Sequence, residues 1–178
     1  ADLLSQAEHG PDSQAILISD SPEKLPQVMQ EIEQQIKVLP RKKIAEKALA
    51  NSYMLVSKDI VEAIEFSNLY APEHLVLNVK NSQKFVKHIQ SAGSVFLGQY
   101  SCESAGDYAS GPNHTLPTYG YAKNYSGVSV DTFLKQITFQ QVDKIGIKNL
   151  GKTVETLAET EQLIGHKNAM SIRLQSLN

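Results

Sequence analysis

The sequence predicts an α/β fold, a mostly parallel sheet with flanking helices, followed by a small C-terminal helical unit. Three observations predict it. Compact apolar runs (Ile16-Leu17-Ile18, Met54-Leu55-Val56, Leu75-Val76-Leu77 and Val95-Phe96-Leu97) alternate with longer segments of helical periodicity. The runs are short and apolar throughout, as strands covered on both faces are. After about residue 143 the strand signals stop and only helical patterns remain.

Taken in order, residues 2–9 read as a helix stopped by Gly10-Pro11. Residues 14–19 are a strand. Ser21-Pro22 opens a helix running to about residue 38, with Leu25, Val28, Met29, Ile32 and Ile36 as its apolar stripe. Residues 41–51 make a short helix, 52–57 a strand and 58–70 a helix. Pro72-Glu73-His74 interrupts before a strand over 75–79; Asn81 or Ser82 caps a helix to about residue 90, and 95–98 is the next strand. Residues 101–118 read as a loop, neither helix nor strand, because Gly106, Gly111, Pro112 and Pro117 punctuate them. Residues 128–136 look helical, 137–142 alternate as a strand does, and 144–150, 152–163 and 166–174 are helical. Two domains are expected: 1–135, a partial α/β domain carrying most of the active site, and 136–178, a helical unit too small to bury a core alone.

Composition narrows the function. A net charge of −2 leaves no basic footprint for nucleic acid. No apolar run approaches the ~20 residues that span a bilayer. One cysteine, Cys102, permits no internal disulfide, which fits a reducing, cytoplasmic setting. Its acidic neighbours, Glu103 and Asp107, do not favour a thiolate nucleophile. The first residue is Ala in what reads as a helix already under way, so a piece of a longer protein is expected.

In parallel sheets ligands bind beyond the carboxyl ends of strands, and the 101–118 segment follows such an end with Glu103, Asp107 and His114 among small residues. Gln6 and His9 stand three apart on one helix face, a spacing that reaches one ion, although taken alone they are better explained as an exposed helix end. Asp107 and His166 are further donors. Without paired cysteines or His-Glu-x-x-His, a site built of such distant nitrogen and oxygen donors suits zinc or manganese. Glu73-His74 is an adjacent acid and base able to hold a water between them, or a solvated turn. No Gly-x-Gly-x-x-Gly occurs.

Four motifs go further together. Ser5-Gln6-Ala7-Glu8-His9-Gly10-Pro11, Tyr70-Ala71-Pro72-Glu73-His74-Leu75, the run Gly106-Asp107-Tyr108-Ala109-Ser110-Gly111-Pro112-Asn113-His114-Thr115-Leu116-Pro117-Thr118, and Gly165-His166-Lys167-Asn168-Ala169 resemble histidinol dehydrogenase in order and spacing. The resemblance covers essentially the whole chain, as the C-terminal two-fifths of that enzyme. It implies an incomplete Rossmann-like sheet and a four-electron, NAD-linked oxidation of L-histidinol to L-histidine through an aldehyde. It implies zinc on Gln6, His9, Asp107 and His166, catalysis by Glu73 and His74, and substrate contacts from Gln6, His9, His74, Asp107, His114, Glu161 and His166. Glu103 falls near them. NAD would be bound mainly by a domain upstream of Ala1, so the chain alone is expected to be inactive. The C-terminal unit would pack on or cross to the partner of a homodimer. A zinc-stapled interaction module and a metal-dependent hydrolase are the competing readings.

Overall fold

The computed structural model describes residues 1–177. The chain forms two compact units, Ala1–Phe133 and Leu134–Asn178, each taken by itself below.

The first unit is α/β. Helix α1 (Asp2–Ala7) is followed by strand β1 (Ile16–Ser19), helix α2 (Leu25–Gln35), helix α3 (Lys42–Leu49), strand β2 (Tyr53–Val56), helix α4 (Ile60–Tyr70) and strands β3 (His74–Leu77) and β4 (Ser94–Leu97). β1 pairs with β2 and β3 with β4, both in parallel. The expected parallel pairing is therefore present, as two separate two-stranded sheets.

Small residues seat α1. Leu4 and Ala7 pack with Ile36, Ala45 and Ala48, all buried. Alanines at 45 and 48 let α3 approach closely, so the helix that carries Gln6 rests on a packed surface, not on a loop. Residues 36–38 close the preceding helix as a 3₁₀ turn, which brings Ile36 into the same cluster.

The Glu73-His74 pair is fixed by backbone bonds. Asp59 caps α4 by accepting from the Glu62 amide at 2.9 Å, and the helix ends at buried Ala71, whose φ of 56° turns the chain out. Gly93 and Ser94 amides then donate to the Pro72 and Glu73 carbonyls, both at 2.9 Å, and His74 lies opposite Ser94 in the ladder. An added Cβ on Gly93 would stand 2.6 Å from the Glu73 carbonyl oxygen, so only glycine allows this approach.

Several local expectations are corrected. Residues 101–118 are not all loop: they open with helix α5 (Glu103–Tyr108). Gly106 looks like a breaker in the sequence, but it is buried against Phe96, where a Cβ would meet the ring at 2.6 Å. Residues 82–88 form a 3₁₀ helix, and the helix expected over 128–136 shrinks to α6 (Val130–Phe133).

The second unit is helical. Helices expected on either side of Gly151 are one helix, α7 (Lys144–Thr160), packed on α8 (Ile164–Gln175). Gly151 again is a packing glycine, facing Leu174. The strand expected over 137–142 does not form: Ile137 and Phe139 are exposed and no neighbouring strand supplies hydrogen bonds. Among the described residues no helix is long and apolar enough to cross a membrane.

Candidate active site

The 98–102 turn, with Gly98 at φ 83°, reverses the chain, and α5 packs its Gly106 face on Phe96 of β4. Glu103 and Asp107, one helical turn apart, therefore share a face, and that face meets His74 at the first residue of β3. The site lies at the amino end of this strand, not beyond its carboxyl end as the sheet rule suggested.

His74 Nε2 stands 4.0 Å from Glu103 Oε1 and 3.9 Å from Asp107 Oδ1. Asp107 Oδ2 lies 3.1 Å from His114 Nδ1, whose side chain is otherwise exposed. Ser5 Oγ donates to Glu103 Oε2 at 3.2 Å, which ties α1 to α5. Sequence reasoning assigned nothing to Ser5; its position beside Gln6 was the available signal. The His74 ring also lies near Phe96, 6.1 Å between centroids.

Burial holds His74 below the ordinary histidine range, against the opposite pull of Glu73 and Asp107. The ring is therefore neutral and able to take a proton at neutral pH. The two carboxyls of α5 are driven apart. Burial and the neighbouring Asp107 raise Glu103, while Ser5 and Gln6 oppose. Burial pushes Asp107 up too, but the adjacent Glu103 carboxyl, the contact with His114 and the charges of His114 and His74 outweigh it, so Asp107 is held low. The two neighbouring carboxyls thus differ in their hold on a proton, Glu103 the stronger and Asp107 the weaker, as expected for like charges at close range.

Four buried polar atoms here have no hydrogen-bond partner: Gln6 Nε2, both nitrogens of His74, and Glu103 Oε1, with Ser57 Oγ and Ser67 Oγ the other such atoms among the described residues. Two of these side chains, Gln6 and His74, belong to the expected site, and Glu103 was expected near it. Buried polar groups are rarely left unpaired without a ligand or water to serve them. His74, Glu103 and Asp107 each offer an atom within 4.8 Å of the others, close enough to hold one ion. An Asp107 carboxylate held low and the unpartnered nitrogens of His74 offer the mixed oxygen and nitrogen donors that suit a borderline cation such as zinc. His9 is exposed just beyond α1, with its carbonyl accepting from Arg41 at 3.2 Å. Glu73 is partly buried beside His74. Of the expected residues, Glu161 and His166 lie in the second unit: Glu161 ends α7 and His166 sits in the first turn of α8, both exposed.

A family model described as histidinol dehydrogenase matches residues 1–174. The chain belongs to the histidinol dehydrogenase family. It is 55% identical to the chloroplastic histidinol dehydrogenase of Arabidopsis thaliana over 99% of this chain and 38% of that protein. It is 53% identical to the histidinol dehydrogenase of Bacteroides fragilis, over 99% of this chain and 41% of that one. The crystal structure of histidinol dehydrogenase from Elizabethkingia anophelis matches with a TM-score of 0.94 and 59% identity, over 99% of this chain and 41% of that chain. The chain thus spans about two-fifths of the length of these relatives.

Proposed function

We propose that this chain supplies the metal-binding and acid–base residues of an enzyme that oxidises L-histidinol to L-histidine through histidinal. The observation that carries the reading is the gathering of His74, Glu103, Asp107 and His114 in one largely buried cluster, in a chain of this family.

Gln6, His9 and Asp107, with His166 from the C-terminal unit, would hold the zinc. Zinc, when bound, would supply a Lewis acid that anchors nitrogen donors of the substrate. NAD⁺ supplies the electron acceptor for each of the two oxidations and is held mainly by upstream residues. His74, neutral through burial, takes the hydroxyl proton in the first oxidation. Glu73 holds a water and accepts its proton as the oxygen adds to the aldehyde carbon. His74 gives the proton it took from the hydroxyl to the aldehyde oxygen as the hydrate forms, and is then free to take a hydroxyl proton of the hydrate in the second oxidation. His114 and Glu161 contact the substrate.

The same reading makes the active form a homodimer through the C-terminal unit, acting in the cytoplasm; the plant relative named above carries a chloroplast designation of its own. The test is stoichiometry in the complete enzyme carrying this segment. Two NADH formed per L-histidinol is the expected result. Consumption of histidinol without NADH, or hydrolysis of ester or amide analogues instead, would overturn it.

A further inference from the structure

Glu103 has no assigned role beyond being near the site, yet it is only 3% exposed. Its two oxygens face different elements. Oε2 accepts from Ser5 Oγ at 3.2 Å, next to Gln6 on α1. Oε1 has no hydrogen-bond partner and lies 4.0 Å from His74 Nε2, which also has none. Asp107 Oδ1 is as close to that nitrogen, at 3.9 Å, but its other oxygen is engaged by His114 at 3.1 Å and it is an expected zinc ligand. Glu103 is thus the carboxyl with an oxygen to spare for the ring.

We propose that Glu103 is a positioning residue that sets the His74 ring and α1 in one register. One oxygen holds α1 through Ser5, and the other orients the Nε2 edge of His74. The gap of 4.0 Å exceeds a direct hydrogen bond, and bonds of this kind commonly tighten only when substrate arrives. A base oriented by a third group is the general arrangement of such sites. Glu103 touches no reacting atom; it acts through His74. Loss of its carboxylate should therefore lower kcat and leave substrate affinity, which rests on other residues, nearly unchanged. The inference rests on the dehydrogenase reading above.

The experiment uses the complete enzyme with Glu103→Gln and Glu103→Asp, each checked for folding by circular dichroism. Glu103→Gln keeps the size of the side chain and an acceptor for Ser5. It should lower kcat on the order of 100-fold, with KM for histidinol within about threefold and zinc content unchanged. Glu103→Asp, which keeps the carboxylate, should recover part of the loss. Wild-type kcat in Glu103→Gln would overturn the proposal. So would a fall in kcat matched by loss of zinc and a rise in KM, the pattern of a purely structural residue. If Glu103→Gln does not fold, Glu103→Asp is judged by the same split: a lowered kcat at constant KM supports the proposal, and unchanged kcat or a matched KM rise overturns it. If the wild type itself makes no NADH from histidinol, the dehydrogenase reading falls and takes this inference with it. An active wild type with an indifferent Glu103→Gln removes this inference alone.

Discussion

A Cβ placed on Gly106 would lie 2.6 Å from Cε1 and 2.9 Å from Cζ of Phe96. The ring is buried and rigid, so α5 would have to move, and Glu103 and Asp107 move with it. Gly106→Ala should destabilise the protein by about 1–3 kcal/mol, the usual cost of overpacking, and weaken zinc. Thermal unfolding and zinc titration check this. Unchanged values for both would mean that α5 is not held by this contact.

Gly151→Ala makes the contrasting case. Its Cβ would also meet a neighbour, with Leu174 Cδ1 and Cδ2 at 2.6 Å and Cγ at 2.9 Å, but all three atoms belong to one partly buried side chain near the end of α8. Leu174 can turn aside, and alanine gains about 1 kcal/mol over glycine within a helix. The two effects nearly cancel, so the change in unfolding free energy should stay within about 1 kcal/mol. A loss as large as that of Gly106→Ala would contradict this account of α7 and α8.

These two glycines also show where the sequence was legible. The parallel strand–helix alternation could be read from apolar runs, and the site motifs from their residues. Gly106 and Gly151 were both read as breaks. In each case glycine serves a close helix contact, and that partner (Phe96 or Leu174) is far off in sequence. The error hid α5, and with it the one-turn spacing that puts Glu103 and Asp107 on one face. The alternating 137–142 segment misled in the opposite way, since alternation states a preference and only a neighbouring strand completes it. The position of the site at the start of β3 was not legible at all, because it depends on the reversal at Gly98.

The division of labour between Glu73 and His74 can be separated in the complete enzyme. Glu73→Gln should spare oxidation of the alcohol and slow oxidation of the aldehyde by about 10²–10⁴-fold, because only the second half-reaction needs an activated water. His74→Asn should slow both. Equal slowing of the two half-reactions by Glu73→Gln would show that the assignment is wrong.

Asp59 predicts a pH effect on stability. Its bond from the Glu62 amide, opposed by desolvation and aided by Lys58 and the Val61 amide, holds the carboxyl below the ordinary aspartate range. A group lowered on folding contributes stability that is present above its unfolded pKa and is lost as pH falls through its folded value. Asparagine caps a helix about as well but does not titrate. Asp59→Asn should therefore leave the neutral-pH melting temperature nearly unchanged and flatten its decline in acid. Identical acid profiles for the two proteins would contradict the role given to this cap.

Zinc should order α1 as well as bind to it. Gln6 and His9 flank the buried end of α1, and α1 is joined to α5 through Ser5 and Glu103. Removing zinc by chelation should raise amide hydrogen exchange in α1 and α5, since metal binding and local folding are coupled. His9→Ala should weaken zinc by at least on the order of 100-fold, since losing a ligand costs more than losing a residue that supports one. Zinc affinity unaffected by His9→Ala would remove His9 from the ligand set.

The central claim is that this chain carries the metal and acid–base residues while the nicotinamide is positioned by residues outside it. Positioning of reactants supplies on the order of 7–11 kcal/mol in well-oriented reactions, so the chain without that part should not turn over. The direct measurement is NADH formation from L-histidinol, NAD⁺ and zinc by the purified 178-residue chain, repeated after the remaining part of the enzyme is added as a separate polypeptide. The account predicts no NADH from the chain alone and recovery on addition of the second polypeptide. Turnover by the chain alone, above that of a Glu73→Gln/His74→Asn control prepared in parallel, would contradict it.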